Sequence, residues 1–144
     1  MEQDRPWIAA DCVVFDAHER LLLIRRKDEP YKGRYAFPGG FMNVGETVEE
    51  AALRELKEET GIEGRDPQLI GVYSDPARDP RHHTISVAYL VFVHEAVAIA
   101  GDDAASAEFV ENWNGLSLAF DHNRILQDAL DTRARLRVTK MTHG

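Results

Sequence analysis

The stretch at residues 39–62, GGFMNVGETVEEAALRELKEETGI, constrains this chain more than any other, because it dictates one short helix and loads that helix with acids. Thr47 followed by Glu50 has the form of a capping box, and Gly61 offers a left-handed residue for the opposite end. The helix is therefore predicted over Val48–Thr60. At about 100° per residue, Ala52, Leu53, Leu56 and Thr60 share one arc, Glu50 and Lys57 point towards water, and Glu55, Glu58 and Glu59 occupy a third arc. Like charges three and four residues apart each destabilise a helix by roughly 0.2–0.5 kcal/mol. Arg54 stands four residues before Glu58, but one guanidinium cannot neutralise three carboxylates.

A bound divalent cation can. All-oxygen ligation suits Mg²⁺, with Mn²⁺ able to substitute, and argues against zinc, which prefers nitrogen and sulfur. Gly39 and Gly40 let the backbone approach an ion and offer a carbonyl as a further oxygen ligand. Ala51, on the acidic arc, leaves room beside it.

The pattern Gly40, Glu46, Arg54-Glu55-Leu56, Glu58-Glu59, Gly61-Ile62, with these spacings, resembles the box of the Nudix hydrolases at every position. The resemblance implies an α/β fold, an α/β/α sandwich around a mixed β-sheet, and hydrolysis of nucleoside diphosphates linked to another moiety. It also implies roles: Gly39 as the carbonyl ligand, Glu55 and Glu59 as the core metal ligands, Glu58 as a further ligand or the general base, and Arg54 with Glu46 as a bracing pair. Gly40 and Gly61 are structural members of the motif. Beyond the box, residues 13–130 are similar to bacterial and archaeal ADP-ribose pyrophosphatases, which implies ADP-ribose cleaved to AMP and ribose 5-phosphate. Relatives bring a further carboxylate from a later strand, for which Glu108 is the candidate and Glu111 its rival.

At 144 residues the chain is expected to form one domain. Its net charge of −8 is a poor footprint for nucleic acid, so a phosphate-rich substrate would rely on metal ions and a few local cations. The single Cys12 cannot form an internal disulfide, and no signal peptide is evident before Pro6, so the expected location is the cytoplasm. No apolar run is long enough to span a membrane.

Trp7–Phe15 and Leu21–Arg26 read as paired strands, Gln68–Tyr73 as another, 84–94 as a long apolar strand and 107–113 as the last. Asp121 reads as the cap of a final helix over 123–133, with Ile125, Leu126, Ala129 and Leu130 on its buried face and a loose basic tail behind it. Tyr31, Tyr35 and Phe37 are candidate rings for stacking a base. Residues 75–83, DPARDPRHH, place Arg78, Arg81 and His83 in a stiff turn as cationic substrate contacts; His82 stands where a glycine is expected in relatives. Trp7, Trp113 and the first strand are candidates for a homodimer contact.

Two other readings compete. A nucleoside triphosphate pyrophosphatase would use the same chemistry and release pyrophosphate. A ligand-sensing module of the same fold would show eroded box acids and an attached DNA-binding domain, and this sequence shows neither.

Overall fold

The computed structural model describes residues 3–143, and side chains through residue 140. Seven strands and two helices follow in the order β1 (Trp7–Phe15), β2 (Leu21–Arg26), β3 (Tyr35–Ala36), β4 (Gly39–Phe41), α1 (Val48–Thr60), β5 (Gln68–Tyr73), β6 (Thr84–Phe92), β7 (Ala104–Val110) and α2 (His122–His143). The sheet is mixed, with the path β3-β2-β1-β6-β5, β4 joining β1 and β7 joining β2.

β1 and β6 run parallel along the whole of β1, from Trp7 opposite Thr84 to Phe15 opposite Phe92. Such a pair is covered on both faces, which is why both strands are apolar throughout rather than alternating. Successive side chains of β1 leave the sheet on opposite sides. Val13 and Phe15 pack with Leu90, Ile125, Leu126 and Ala129 beneath α2. Ala10, Cys12 and Val14 pack with Ala51, Ala52, Leu56 and Val91 beneath α1. An α/β/α sandwich results, as expected.

The other edge of β1 is divided between two partners. Phe15 pairs with Leu21 of β2, whereas Ala9, Ala10 and Asp11 pair with Phe41, Gly40 and Gly39 of β4. β3 lies against β2 instead, Ile24 opposite Ala36. Strands β1 and β2 therefore fork, and the short link from β3 to β4 bridges the fork. The functional cleft opens there.

α1 starts with both reciprocal bonds of the capping box and ends at Gly61 with φ of 74°, the left-handed value that glycine adopts without strain. Such a cap stabilises by about 1 kcal/mol. Ala51 is fully buried in the core rather than making room beside the acids. Three other expectations need correction. The last strand begins at Ala104 and ends at Val110, so Trp113 lies outside it, its ring edge-on to Phe15 and its Nε1 donating to the Glu19 carbonyl. The β6 strand stops at Phe92, before His94. The final helix begins at His122 and continues through the supposed tail to His143. Asp121 precedes it, but both of its carboxylate oxygens accept from Arg78, at 2.9 and 2.6 Å, rather than from the first helical turn.

Candidate active site

Three acids converge on the dipeptide Gly39-Gly40 from different directions. Glu59, on the last turn of α1, accepts from the Gly39 amide at 3.2 Å. Asp11, directly across the β1–β4 pair, presses its Oδ1 against Gly39, where a Cβ would collide with it. Glu55 lies under Gly40, whose Cβ would come 2.5 Å from Oε2 and 2.8 Å from Oε1. Both glycines are needed because carboxylates occupy the space that any larger residue would fill.

Arg54 braces this arrangement from outside. Its Nε and Nη2 donate to Glu46 at 3.0 and 2.7 Å, Nη2 also to the Phe41 carbonyl at 2.9 Å, and Nη1 to Glu55 at 2.7 Å and Glu58 at 3.2 Å. The forked guanidinium suits this bridging of loop and helix, which an ammonium could not match. The Arg54 hydrogen bonds hold the Glu46 carboxyl below its ordinary value.

Glu59 and Asp11 have no ion pair of this kind. Burial, reinforced by the charges of Glu55 and Asp11, pushes Glu59 well above the usual carboxylate range, against the pull of the Gly39 amide. Asp11 is 7% exposed, and its Oδ2 has no hydrogen-bond partner. Burial raises it to about 6, opposed by Arg78 and Ser86 and helped by Asp121 and Glu55. Crowded, desolvated acids with an orphaned oxygen and a bare backbone beside them fit a hard divalent cation. Among the described residues, no three acids already close on one point as a finished cage; Arg54 draws Glu55 and Glu58 towards itself. Oxygen donors are nonetheless the correct set for magnesium or manganese.

These groups line a cleft of about 360 Å³. Cations line it too. Arg26 lies over the Phe120 ring at 4.8 Å and Arg81 at 5.8 Å, and Lys27 also lines the cleft. Phe120 has φ of 51°, an uncommon backbone for a bulky residue, so the surrounding packing holds it there. Tyr31 meets its edge at 5.0 Å. Next along the chain, the buried His122 accepts from the Phe37 amide through Nδ1 at 3.1 Å, and burial lowers it to about 3. It is therefore neutral, with its proton on Nε2. Asp103 also reaches the cleft wall; its loop is pinned to α1 where the Gly101 amide donates to the Glu59 carbonyl at 2.8 Å.

Of the residues singled out in the sequence, Gly39, Gly40, Glu55, Glu59, Phe37, Arg78 and Arg81 line the cleft. Phe37 is 2% exposed and stacked on His122, so it shapes the floor and cannot offer a free face to a base. Arg78 is held by Asp121 and Ser86, its three donor groups already engaged. Arg81 grips Asp79 at 2.7 Å yet remains partly exposed. Glu58 lies outside the cleft on Arg54, Glu108 accepts from the Tyr35 hydroxyl at 2.5 Å under Arg25, His83 bonds the Ser74 carbonyl at 2.9 Å, and Glu111 is exposed beyond β7. Arg26, readable in the sequence as a strand-end cation able to reach a phosphate, lines the cleft as well, whereas Asp11, Asp103, Phe120 and His122 went unmarked. Only Asp11 carried a visible signal, as an acid inside the otherwise apolar strand WIAADCVVF.

The NUDIX domain family matches residues 5–131. An ADP-ribose pyrophosphatase of Methanocaldococcus jannaschii is 49% identical over 123 residues, 85% of this chain and 72% of that protein. The NUDIX domain of Shewanella oneidensis NrtR, solved with ADP ribose, superposes with a TM-score of 0.82 at 25% identity over 93% of this chain and 90% of that one. A bifunctional NMN adenylyltransferase/ADP ribose pyrophosphatase from Francisella tularensis, complexed with AMP and a Mn ion, gives 0.79 at 26% identity, over 92% of this chain and 43% of that longer one. Box, fold and sequence thus agree, and the chain belongs to the Nudix family.

Proposed function

We propose that the protein is a Mg²⁺-dependent pyrophosphohydrolase that adds water across the phosphoric anhydride of ADP-ribose, releasing AMP and ribose 5-phosphate. The observation that carries this reading is the lining of the cleft, where the acids at Gly39-Gly40 share one cavity with Arg26, Lys27, Arg81 and the Phe120 ring. A diphosphate flanked by two sugars suits such a lining, its phosphates met at the acids through a cation and its outer part met by the cationic side chains and the ring. Likeness to the archaeal pyrophosphatase and to the ADP ribose complex supports the choice of substrate. Mn²⁺ substitutes for Mg²⁺ in this reading, in keeping with the Mn ion of the Francisella relative.

When bound, the cation supplies charge neutralisation on the phosphoryl oxygens and lowers the pKa of attacking water. The chain does the rest. Glu55 and Glu59 would hold the ion with the Gly39 carbonyl, Arg54 and Glu46 keep the glycine loop on α1, and Arg81 and Arg26 would position the substrate. Glu58, Glu108 and Asp103 are the candidates to accept the proton of the attacking water; of the three only Asp103 lines the cleft, Glu58 being held by Arg54 and Glu108 by Tyr35.

Product analysis tests this reading. With Mg²⁺, ADP-ribose should yield AMP and ribose 5-phosphate in equal amounts, and a chelator should abolish the reaction. Turnover confined to nucleoside triphosphates with release of pyrophosphate would replace it by nucleotide-pool cleansing. Tight binding of ADP-ribose without turnover would make the domain a sensor.

A further inference from the structure

A carboxylate in the middle of a nine-residue apolar strand has to be explained by what it meets, since burying an unpaired charge costs several kcal/mol. The other two buried aspartates meet that demand in full. Asp16 accepts from the amides of His18 and Arg20 through Oδ1 and from Arg20 Nε through Oδ2. Asp79 accepts from Arg81 through both oxygens. Asp11 does not. Its Oδ2 has no partner, and the nearby guanidinium of Arg78 is already engaged by both oxygens of Asp121 and by the Ser86 hydroxyl.

The place of Asp11 in the sheet gives it a different partner. It stands directly opposite Gly39, against the Cα where any side chain would displace it, while the Gly39 amide is held by Glu59. β1 and α1 thereby bring Asp11 and Glu59 to the same glycine of β4, and all three line the cleft. The charges also match. Arg54 bonds Glu46, Glu55 and Glu58 but neither Asp11 nor Glu59, which leaves these two carboxyls without an ion pair of their own and open to a cation.

We propose that Asp11 is a metal ligand from outside the box motif, sharing the divalent cation with the Gly39 carbonyl and Glu59. This rests on the hydrolytic reading above, and it makes the first strand part of the catalytic apparatus rather than only its scaffold. It also gives a purpose to the close approach of Asp11 that requires glycine at position 39 of β4.

The test is Mn²⁺ binding by the intact chain, followed by electron paramagnetic resonance of free Mn²⁺, for wild type, Asp11→Asn and Glu59→Gln. Asp11→Asn is expected to weaken binding by at least about tenfold, the scale seen when groups around a metal are lost. In chelator it should melt no lower than wild type, because the change removes an unpaired buried charge; an aspartate kept for structure would lower the melting temperature instead. Asp11→Cys, titrated with Cd²⁺, should develop a thiolate-to-cadmium absorption in the ultraviolet that wild type, which keeps only the buried Cys12, lacks. Wild-type Mn²⁺ affinity in Asp11→Asn with weakened binding in Glu59→Gln overturns the role of Asp11 alone, as does a missing cadmium band. Failure of wild type to bind Mn²⁺ overturns both this inference and the metal-dependent reading.

Discussion

Alanine at Gly39 and at Gly40 should produce opposite defects, although the two residues are adjacent. At Gly39 the new Cβ would strike Asp11 Oδ1 and come 2.5 Å from the Ala10 carbonyl and 3.0 Å from the Asp11 Cα. Those last two are backbone atoms, so the β1–β4 pair must open. Overpacking of this kind costs about 1–3 kcal/mol, and at about 2–4 °C per kcal/mol for a domain of this size the melting temperature should fall by about 2–12 °C. At Gly40 the Cβ meets only the end of the Glu55 side chain. That carboxylate can swing away at the loss of one partly exposed ion pair with Arg54, below about 1 kcal/mol. Glu55 then no longer faces the cleft, and kcat should drop by at least about a hundredfold, as when an electrostatic contribution to the transition state is lost. Thermal melts in chelator, paired with turnover of ADP-ribose in Mg²⁺, separate the two effects. Wild-type turnover in Gly40→Ala, or wild-type melting in Gly39→Ala, would refute the close-approach reasoning.

Arg81→Ala should raise KM for ADP-ribose more than for a nucleoside triphosphate, measured by initial rates on both; equal effects would remove Arg81 from the choice of substrate. Asp103→Asn should lower kcat by at least about tenfold while Glu108→Gln leaves it within about twofold, in line with the scale of proton-transfer catalysis; the reverse order would restore Glu108. His122 has a pH signature. Its folded value of about 3 lies below the unfolded value near 6.5, so the unfolded chain binds the proton first. Its contribution is complete above pH 6.5 and falls as pH drops towards 3, by up to about 1.4 kcal/mol per pH unit. Denaturant titrations at pH 7, 6 and 5 should show this slope in wild type and a shallower one in His122→Gln; parallel slopes would mean the ring is not held neutral.

Local chemistry made much of this protein legible. α1 was readable to the residue because a capping box and a left-handed glycine mark its ends within the helix itself. β1, β2 and β5 were readable because each is a short apolar run between turn residues. The acid cluster of α1 was readable because its mutual repulsion is visible at helical spacing. What escaped depends on contacts distant in sequence. Asp121 has the identity of a helix cap, but Arg78, 43 residues earlier, takes its side chain. Phe37 was offered as an open ring because nothing local shows that His122 covers it, 85 residues on. Asp103 was not considered beside Glu108 and Glu111 because nothing in its loop shows that it reaches the cleft, and strand β7 starts three residues earlier than its apolar pattern suggests, in a register that pairs Glu108 with Leu23, where its side chain meets Tyr35. The end of α2 was taken for a tail because its charged residues show no continuous apolar face, yet they continue the helix through its last turns.

The central claim is that the acids around Gly39-Gly40 gather there to hold a divalent cation. Crystals grown with Mn²⁺ and measured for anomalous scattering at the manganese edge test it directly. The expected result is a peak about 2.1 Å from the Gly39 carbonyl and from carboxylate oxygens of Glu59 and Glu55. A map with no manganese among these groups, from crystals of a protein that leaves ADP-ribose intact, would contradict it.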